Sequence, residues 1–365
     1  MIAPYELFLL CQRAVMENAS DIHLKPGSKP FCRDRNGELR PLAPSAEVIS
    51  EETVRGLCYQ LYGADINESG SNSTTFIDTE AVPQSIRSLI ASGYGEADAS
   101  ASISLPDGIT ANLRINAFYS QMGLNLAIRV LHSDIMSARD IWLPNSLWPL
   151  IRKKEGIIIF CGATGSGKTT AMYALLDMIN HEASKHIITL DEPLEIVLKE
   201  DKCIVSQREV GIHSESFSQA LRAALREDPD ILLVGEMRDR DTIRTALQAA
   251  ETGHLVLSTI HASSVSEVVD RIVSYFDAEE AVQLRNALAA SFLGIVACKL
   301  LPRKGGGKVS AFEVLLRTVA TTAVIKNGNM MQIADYMSSE HGMQTMERSI
   351  ESLRAINVLE DDSHG

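Results

Sequence analysis

Gly156-Ile157-Ile158-Ile159-Phe160-Cys161-Gly162-Ala163-Thr164-Gly165-Ser166-Gly167-Lys168-Thr169-Thr170 is the stretch that decides the fold. Its first part is a short continuous apolar run, too apolar to lie half in water, and predicts a buried strand. From Gly162 to Thr169 the chain fits G-x-x-x-x-G-K-[ST] at every fixed position, and Ala171 to Ile179 continues as a helical pattern. Strand, glycine-rich loop and helix in that order build a phosphate cradle. The glycines let backbone N–H groups curl around an anion, and the helix N-terminus adds positive partial charge. The expected nucleotide-binding set is therefore Gly162, Ala163, Thr164, Gly165, Ser166, Gly167, Lys168, Thr169 and Thr170. Lys168 is expected to reach the β- and γ-phosphates and the Thr169 hydroxyl to ligate a metal, with ATP and Mg2+ as the ligands.

Working outward, Ile187-Ile188-Thr189-Leu190, Ile231-Leu232-Leu233-Val234 and Leu255-Val256-Leu257-Ser258 are further short apolar runs separated by helical patterns. Such alternation predicts an α/β domain with a parallel sheet covered on both faces. Residues 279–355 read as mainly helical, with Val282, Leu284, Leu288, Phe292 and Ile295 on one broad apolar face. Upstream the grammar is different. Phe8, Cys11 and Val15 recur at helical spacing over 4–18, and Ser20 to Leu24 reads as a strand. Arg35-Asn36-Gly37-Glu38 is a hairpin signal, because Asn-Gly accepts positive φ. Residues 63–75, rich in Gly, Ser and Asn, read as a mobile loop, and Ala101 to Leu131 alternates like a half-buried sheet. The expected division is an N-terminal domain over 1–131, a linker over 132–150 marked by Pro144 and Pro149, and a nucleotide-binding domain over 151–365.

Acids follow two of the predicted strands. Ile231 to Val234 runs into Gly235-Glu236, so a buried strand delivers a carboxylate to the phosphate end of the site. Gly235 stands where a magnesium-ligating Asp is usual, which leaves Glu236 as the expected group that activates a water. Asp191-Glu192-Pro193-Leu194-Glu195 closes another strand at the edge where open α/β sheets hold ligands. Glu192 is the candidate for a water-mediated Mg2+ contact; the alternative is an acidic helix cap. His254 and His261 flank the strand 255–259, and position alone leaves their role open. No His/Cys constellation suggests zinc.

Composition narrows the remaining classes. The 365 residues hold 34 Lys and Arg against 47 Asp and Glu, a formal charge of −13, which argues against a surface built to wrap nucleic acid. The six cysteines form no CxxC pair and suit a reducing compartment. The N-terminus lacks a cationic leader, and the apolar stretch around Ala287 to Cys298 falls short of the ~20 residues of a membrane span. A cytoplasmic location is expected, with any membrane role exercised through partners.

The same residues carry a resemblance. Ala19-Ser20-Asp21-Ile22-His23-Leu24, Ser206 to Gly211, Ala220 to Asp230 continuing to Gly235-Glu236-Met237-Arg238-Asp239, Ala250 to His254, Thr259-Ile260-His261 and Gly342 to Met346 are similar to the type II/type IV secretion-type ATPases. Within that family the chain resembles most the pilus-retraction branch and its type IVB secretion and conjugation relatives. The resemblance implies a PAS-like α+β N-terminal domain, a RecA-like P-loop ATPase domain with a helical C-terminal region, and a homohexameric ring. It implies that Asp191, Glu192 and Glu195 form the aspartate box, that His254 and His261 form the histidine box, and that His261 is catalytic. Arg114 and Arg129 match the family's N-domain arginines, which act on nucleotide across a subunit boundary. The implied partners are inner-membrane platform or secretion-channel proteins and another secretion ATPase, at the cytoplasmic face of the inner membrane. Val324-Ile325-Lys326-Asn327 stands where the retraction branch has Ala-Ile-Arg-Glu, and the acidic box reads Asp-Glu-Pro where Glu-Asp-Pro is usual. These departures favour a secretion or conjugation motor over pilus retraction. A nucleotide-gated scaffold without turnover and a small-molecule kinase remain the competing functions.

Overall fold

The computed structural model describes residues 5–17, 19–34, 38–42, 47–63, 84–104, 110–131, 135–337 and 341–359. It divides into two compact units, Met1–Asp134 and Ile135–Gly365.

In the first unit, α1 (Tyr5–Met16) is followed by β1 (Asp21–Leu24), β2 (Phe31–Arg33), β3 (Leu39–Pro41), α2 (Glu51–Gly63), α3 (Gln84–Ser92), β4 (Glu96–Ser104), β5 (Thr110–Ser120) and β6 (Gly123–Leu131). The strands form one six-stranded sheet in the order β3-β2-β1-β6-β5-β4. Every neighbouring pair is antiparallel. The α+β architecture agrees with a PAS-like domain. Period-two alternation explains its one buried face: Leu113, Ile115 and Ala117 on β5 and Leu126, Ile128 and Val130 on β6 are buried, and Arg114 and Arg129 point the other way. The expected Asn36-Gly37 turn and most of the 63–75 loop lie outside the described residues. The flanking strands β2 and β3 do pair antiparallel, with Arg33 opposite Leu39.

The second unit opens with a 3₁₀ helix, Asn145–Arg152, and continues through β7 (Gly156–Cys161), α4 (Lys168–Glu182), β8 (His186–Asp191), β9 (Ile204–Glu209), α5 (Phe217–Ala224), β10 (Ile231–Val234), α6 (Arg240–Glu251) and β11 (Leu255–Ile260). Then come α7 (Val265–Val273), α8 (Ala278–Ser291), β12 (Phe292–Pro302), β13 (Lys308–Leu316), α9 (Val319–Asn327), a second 3₁₀ helix (Met330–Tyr336) and α10 (Met346–Ala355). The seven-stranded sheet runs β13-β12-β7-β11-β10-β8-β9. All pairs are parallel except β12 with β13. The four runs read from the sequence are its central strands, and β7, β10 and β11 are buried at every position.

Two expectations change. The 132–150 stretch is not a free connector from Ile135 on: Ala138, Ile141, Leu143, Leu147 and Leu150 pack into the core beneath β7 and α4. Residues 279–355 are not mainly helical, because α8 ends at Ser291 and the chain turns into an eleven-residue strand. Phe292 and Ile295 are therefore strand residues, and Val282 is 51% exposed. Continuous apolar sequence fits a buried strand as well as a buried helix, and periodicity alone does not separate them. The family-like block Gly342–Met346 works as a stitch: Gln344 pairs its backbone with Val314, donates its side chain to the Phe312 carbonyl, and Thr345 caps α10.

Candidate nucleotide site

The loop between β7 and α4 is shaped by three glycines at positive φ: Gly162 (142°), Gly165 (73°) and Gly167 (93°), the last being the N-cap of α4. At Gly162 space is limiting as well. A Cβ there would stand 2.6 Å from the Cys298 carbonyl oxygen of β12 and would collide with Ser166 Oγ. Ser166 Oγ is buried and has no hydrogen-bond partner among the described residues. Lys168 Nζ donates to the Gly162 and Ala163 carbonyls at 2.9 and 3.0 Å, so its ammonium sits in the mouth of the loop. Burial holds the Lys168 pKa below its ordinary value, against the pull of nearby groups that include Glu236 and Glu195. The cradle, its cation and the hard hydroxyl oxygen of Thr169 on the first turn of α4 fit a magnesium nucleotide.

Glu236 stands just past β10, whose four residues are all buried. Its carboxylate is only 14% exposed, and both oxygens are engaged. Oε1 lies 3.1 Å from His261 Nε2, and Oε2 accepts from Arg238 Nε at 2.6 Å. Arg238 Nη1 also reaches Glu192 Oε2 at 2.6 Å and so ties the end of β10 to the end of β8. Gly235 has a packing reason. A Cβ there would meet the Leu190 carbonyl at 3.0 Å and crowd Asp191, while its own N–H donates to Leu190 O at 2.7 Å and its carbonyl accepts from Thr259 Oγ1 at 2.6 Å. An acid at 235 would push β8 aside.

Asp191 is 4% exposed and accepts from Tyr173 Oη at 2.7 Å. Burial pushes its carboxyl up to about 7, and the Tyr173 and Thr189 hydroxyls oppose the shift. Gln207 on β9 donates to Tyr173, Thr189 and the Ile196 carbonyl, and its oxygen accepts from Leu198 N–H, which fixes the chain after the acidic box.

The second unit thus gathers Lys168, Thr169, Asp191, Glu192, Glu195, Glu236 and His261 at the carboxyl edge of its sheet. It does not bring His254 there. His254 precedes β11, roughly 20 Å of strand from His261, with Nδ1 at 3.2 Å from the Ala249 carbonyl. Arg114 and Arg129 belong to the first unit, directly opposite one another on β5 and β6. Arg129 Nε donates to Asp21 at 3.1 Å, and Arg114 makes no ion pair among the described residues. Arg238 was not singled out from the sequence, although it lay within one of the family-like blocks. Its role shows only when it meets Glu192, 46 positions away in the chain.

The model of the type II/IV secretion system protein family matches residues 97–358. The chain belongs to that family. It is 33% identical over 345 residues to the type IV pilus retractation ATPase PilT of Pseudomonas aeruginosa, covering 94% of this chain and 92% of that one. It is 36% identical to the type IV pilus ATPase PilU of the same organism, covering 94% and 84%. A crystal structure of the pilus retraction motor PilT with bound ADP superposes with a TM-score of 0.82 at 35% identity, over 97% of this chain and 94% of that one. The Legionella pneumophila ATPase DotB shares the fold, with a TM-score of 0.77 at 23% identity over 99% and 94%. No described helix of this secretion-family chain is long and apolar enough to cross a membrane.

Proposed function

We propose that the chain is a magnesium-dependent, ATP-hydrolysing motor subunit that works as a homohexameric ring on a type IV pilus, in its retraction. One observation carries the hydrolytic part: Glu236, just past a fully buried strand, stands at the same carboxyl edge of the parallel sheet as the loop cation Lys168. The loop N–H groups and Lys168 hold the β- and γ-phosphates. The Thr169 hydroxyl would hold Mg2+, which would supply neutralisation of phosphate charge. Glu236 takes the proton of a water whose oxygen bonds to the γ-phosphorus while the bond to the ADP oxygen breaks. His261 orients the Glu236 carboxylate through its 3.1 Å contact. Arg114 and Arg129 reach the nucleotide of the neighbouring subunit in the ring and stabilise charge on the γ-phosphate.

Retraction replaces the preference for secretion or conjugation drawn from residues 324–327. Whole-chain relatives at 33% and 35% identity are described as retraction ATPases, whereas the likeness to DotB at 23% speaks for the fold alone. In α9 the altered motif keeps its packing residues, Val324 and Ile325, buried; the exposed Lys326 keeps the positive charge of the retraction branch's Arg, and only the exposed Asn327 differs in charge from its Glu. A platform protein at the inner membrane is the proposed partner.

Phosphate release from wild type and Glu236→Gln tests the chemistry. Turnover should fall on the order of 100-fold with ATP still bound, the usual cost of losing a general base. Equal rates in the two proteins would leave a scaffold or another enzyme class. Deletion of the gene tests the machine: twitching should be lost and surface pili should accumulate, and intact twitching with lost transfer of protein or DNA would reinstate secretion.

A further inference from the structure

Among the described residues Arg238 is the one cation in contact with both acidic elements of the site. Its Nε bonds Glu236 and its Nη1 bonds Glu192, each at 2.6 Å, so a single guanidinium spans the ends of β10 and β8. The backbone that carries it is fixed. Met237, just before it, is 1% exposed and donates its N–H to Thr259 O, and Asp239, just after it, caps α6 by accepting from Thr242 N–H. The side chain is 52% exposed, and the Glu192 end of the bridge is 42% exposed against 14% at the Glu236 end. Solvent-facing ion pairs of this kind are weak and exchange readily for a stronger anion.

The geometry has a chemical consequence for Glu236. A carboxylate accepts a proton from water through an oxygen lone pair aimed at that water. Here Oε1 faces His261 and Oε2 faces Arg238, at the shorter distance. Each contact takes up one of the lone pairs through which the carboxylate could meet a water, and giving up the 2.6 Å Arg238 contact opens Oε2 to one. A γ-phosphate offers a planar guanidinium two or more charged oxygens, a better bidentate match than two carboxylates on separate strands. Glu236 follows β10 and Lys168 follows β7, and these parallel strands end at one edge of the sheet, so the arginine bound to Glu236 starts on the edge that holds the phosphates.

We propose that Arg238 is a γ-phosphate-sensing positioning residue, whose guanidinium exchanges from the Glu236–Glu192 bridge to the γ-phosphate of ATP and thereby frees Glu236 to take the water. The proposal rests on the hydrolytic reading above. It assigns to the subunit's own second unit a cation that separates ATP from ADP before any neighbour contributes one.

The test uses the full chain and its Arg238→Ala and Arg238→Lys variants, with calorimetric titration of Mg–ADP and of Mg with a non-hydrolysable ATP analogue. In Arg238→Ala the analogue should bind about tenfold more weakly, the loss of one charge-assisted bond, while ADP affinity stays within about twofold. Arg238→Lys, which keeps the charge but not the fork, should recover part of the preference. Turnover at saturating ATP should fall in both. Equal weakening of analogue and ADP would mark a structural role and overturn the proposal. Faster turnover with the preference intact would also overturn it, because Arg238 would then be a brake alone. Nucleotide preference is read without turnover, so a wild-type protein that binds both nucleotides yet releases no phosphate would refute hydrolysis and leave the Arg238 result standing separately.

Discussion

Replacing Asp191 by asparagine should change how the stability of the second unit depends on pH. In the fold, burial at the end of β8 pushes this carboxyl up to about 7, from a value of 3.8 for the free group, and the neighbouring Glu195 and Glu209 charges add to the rise. The sign follows from linkage. Between those two values the folded chain keeps a proton that the unfolded chain has released, so the stability contributed by this group is complete at low pH and declines as pH rises through the folded value. The slope is about 1.4 kcal/mol per pH unit, and it levels off once the folded group also ionises. From about pH 5 to about pH 8 the decline amounts to about 3 kcal/mol, since about two units of that interval lie below the folded value. Asparagine cannot titrate but keeps an oxygen for the Tyr173 hydroxyl. Asp191→Asn should therefore match or trail the wild type near pH 5 and exceed it progressively towards pH 8. Urea unfolding followed by tryptophan fluorescence is the assay. The chain has two tryptophans, Trp142 and Trp148, and both lie in the second unit, so the signal reports the part that carries Asp191 even where the two units unfold separately. Parallel stability curves for the two proteins across that range would refute the buried-proton account.

Gly162→Ala should abolish nucleotide binding and cost about 3 kcal/mol, because its Cβ needs both a φ of 142° and the space held by the Cys298 carbonyl; thermal unfolding and ADP titration check it, and unchanged binding would contradict the loop geometry. Arg114→Ala chains and Lys168→Ala chains, each inactive alone, should regain part of their ATPase activity when mixed, since each supplies what its neighbour lacks. Absence of rescue at every mixing ratio would place the arginine's action within one chain or remove it.

What could be read from the sequence was whatever local chemistry dictates. The loop from Gly162 to Lys168 is specified by neighbours in sequence, and the four apolar runs, short and separated by helical patterns, read as central strands. Glu236 was legible for the same reason, as the first acid after such a run. The hidden parts are those made by distant pairings. Phe292 and Ile295 kept an apolar pattern across a helix-to-strand change, and no residue between α8 and β12 announces it. His254 and His261 look equivalent in a list, yet six residues of strand put them at opposite edges of the sheet. Burial is what raises the Asp191 carboxyl, and the Tyr173 and Gln207 packed beside it precede and follow it by 18 and 16 positions and say nothing about it until the sheet and α4 bring them together.

β12 is more than an extra strand in the sheet. It forms one wall of the phosphate loop, with the Cys298 carbonyl against Gly162 and Leu300 against Gly167. It then runs on to Pro302, pairs with β13 from Gly294 to Pro302, and at its far end Arg303 bridges Leu359 near the chain's carboxyl end. In mechanical terms this is a tie rod. A displacement of the carboxyl-terminal segment would reach β12 through the Arg303–Leu359 bridge, and β12 is the strand that bounds the phosphate loop.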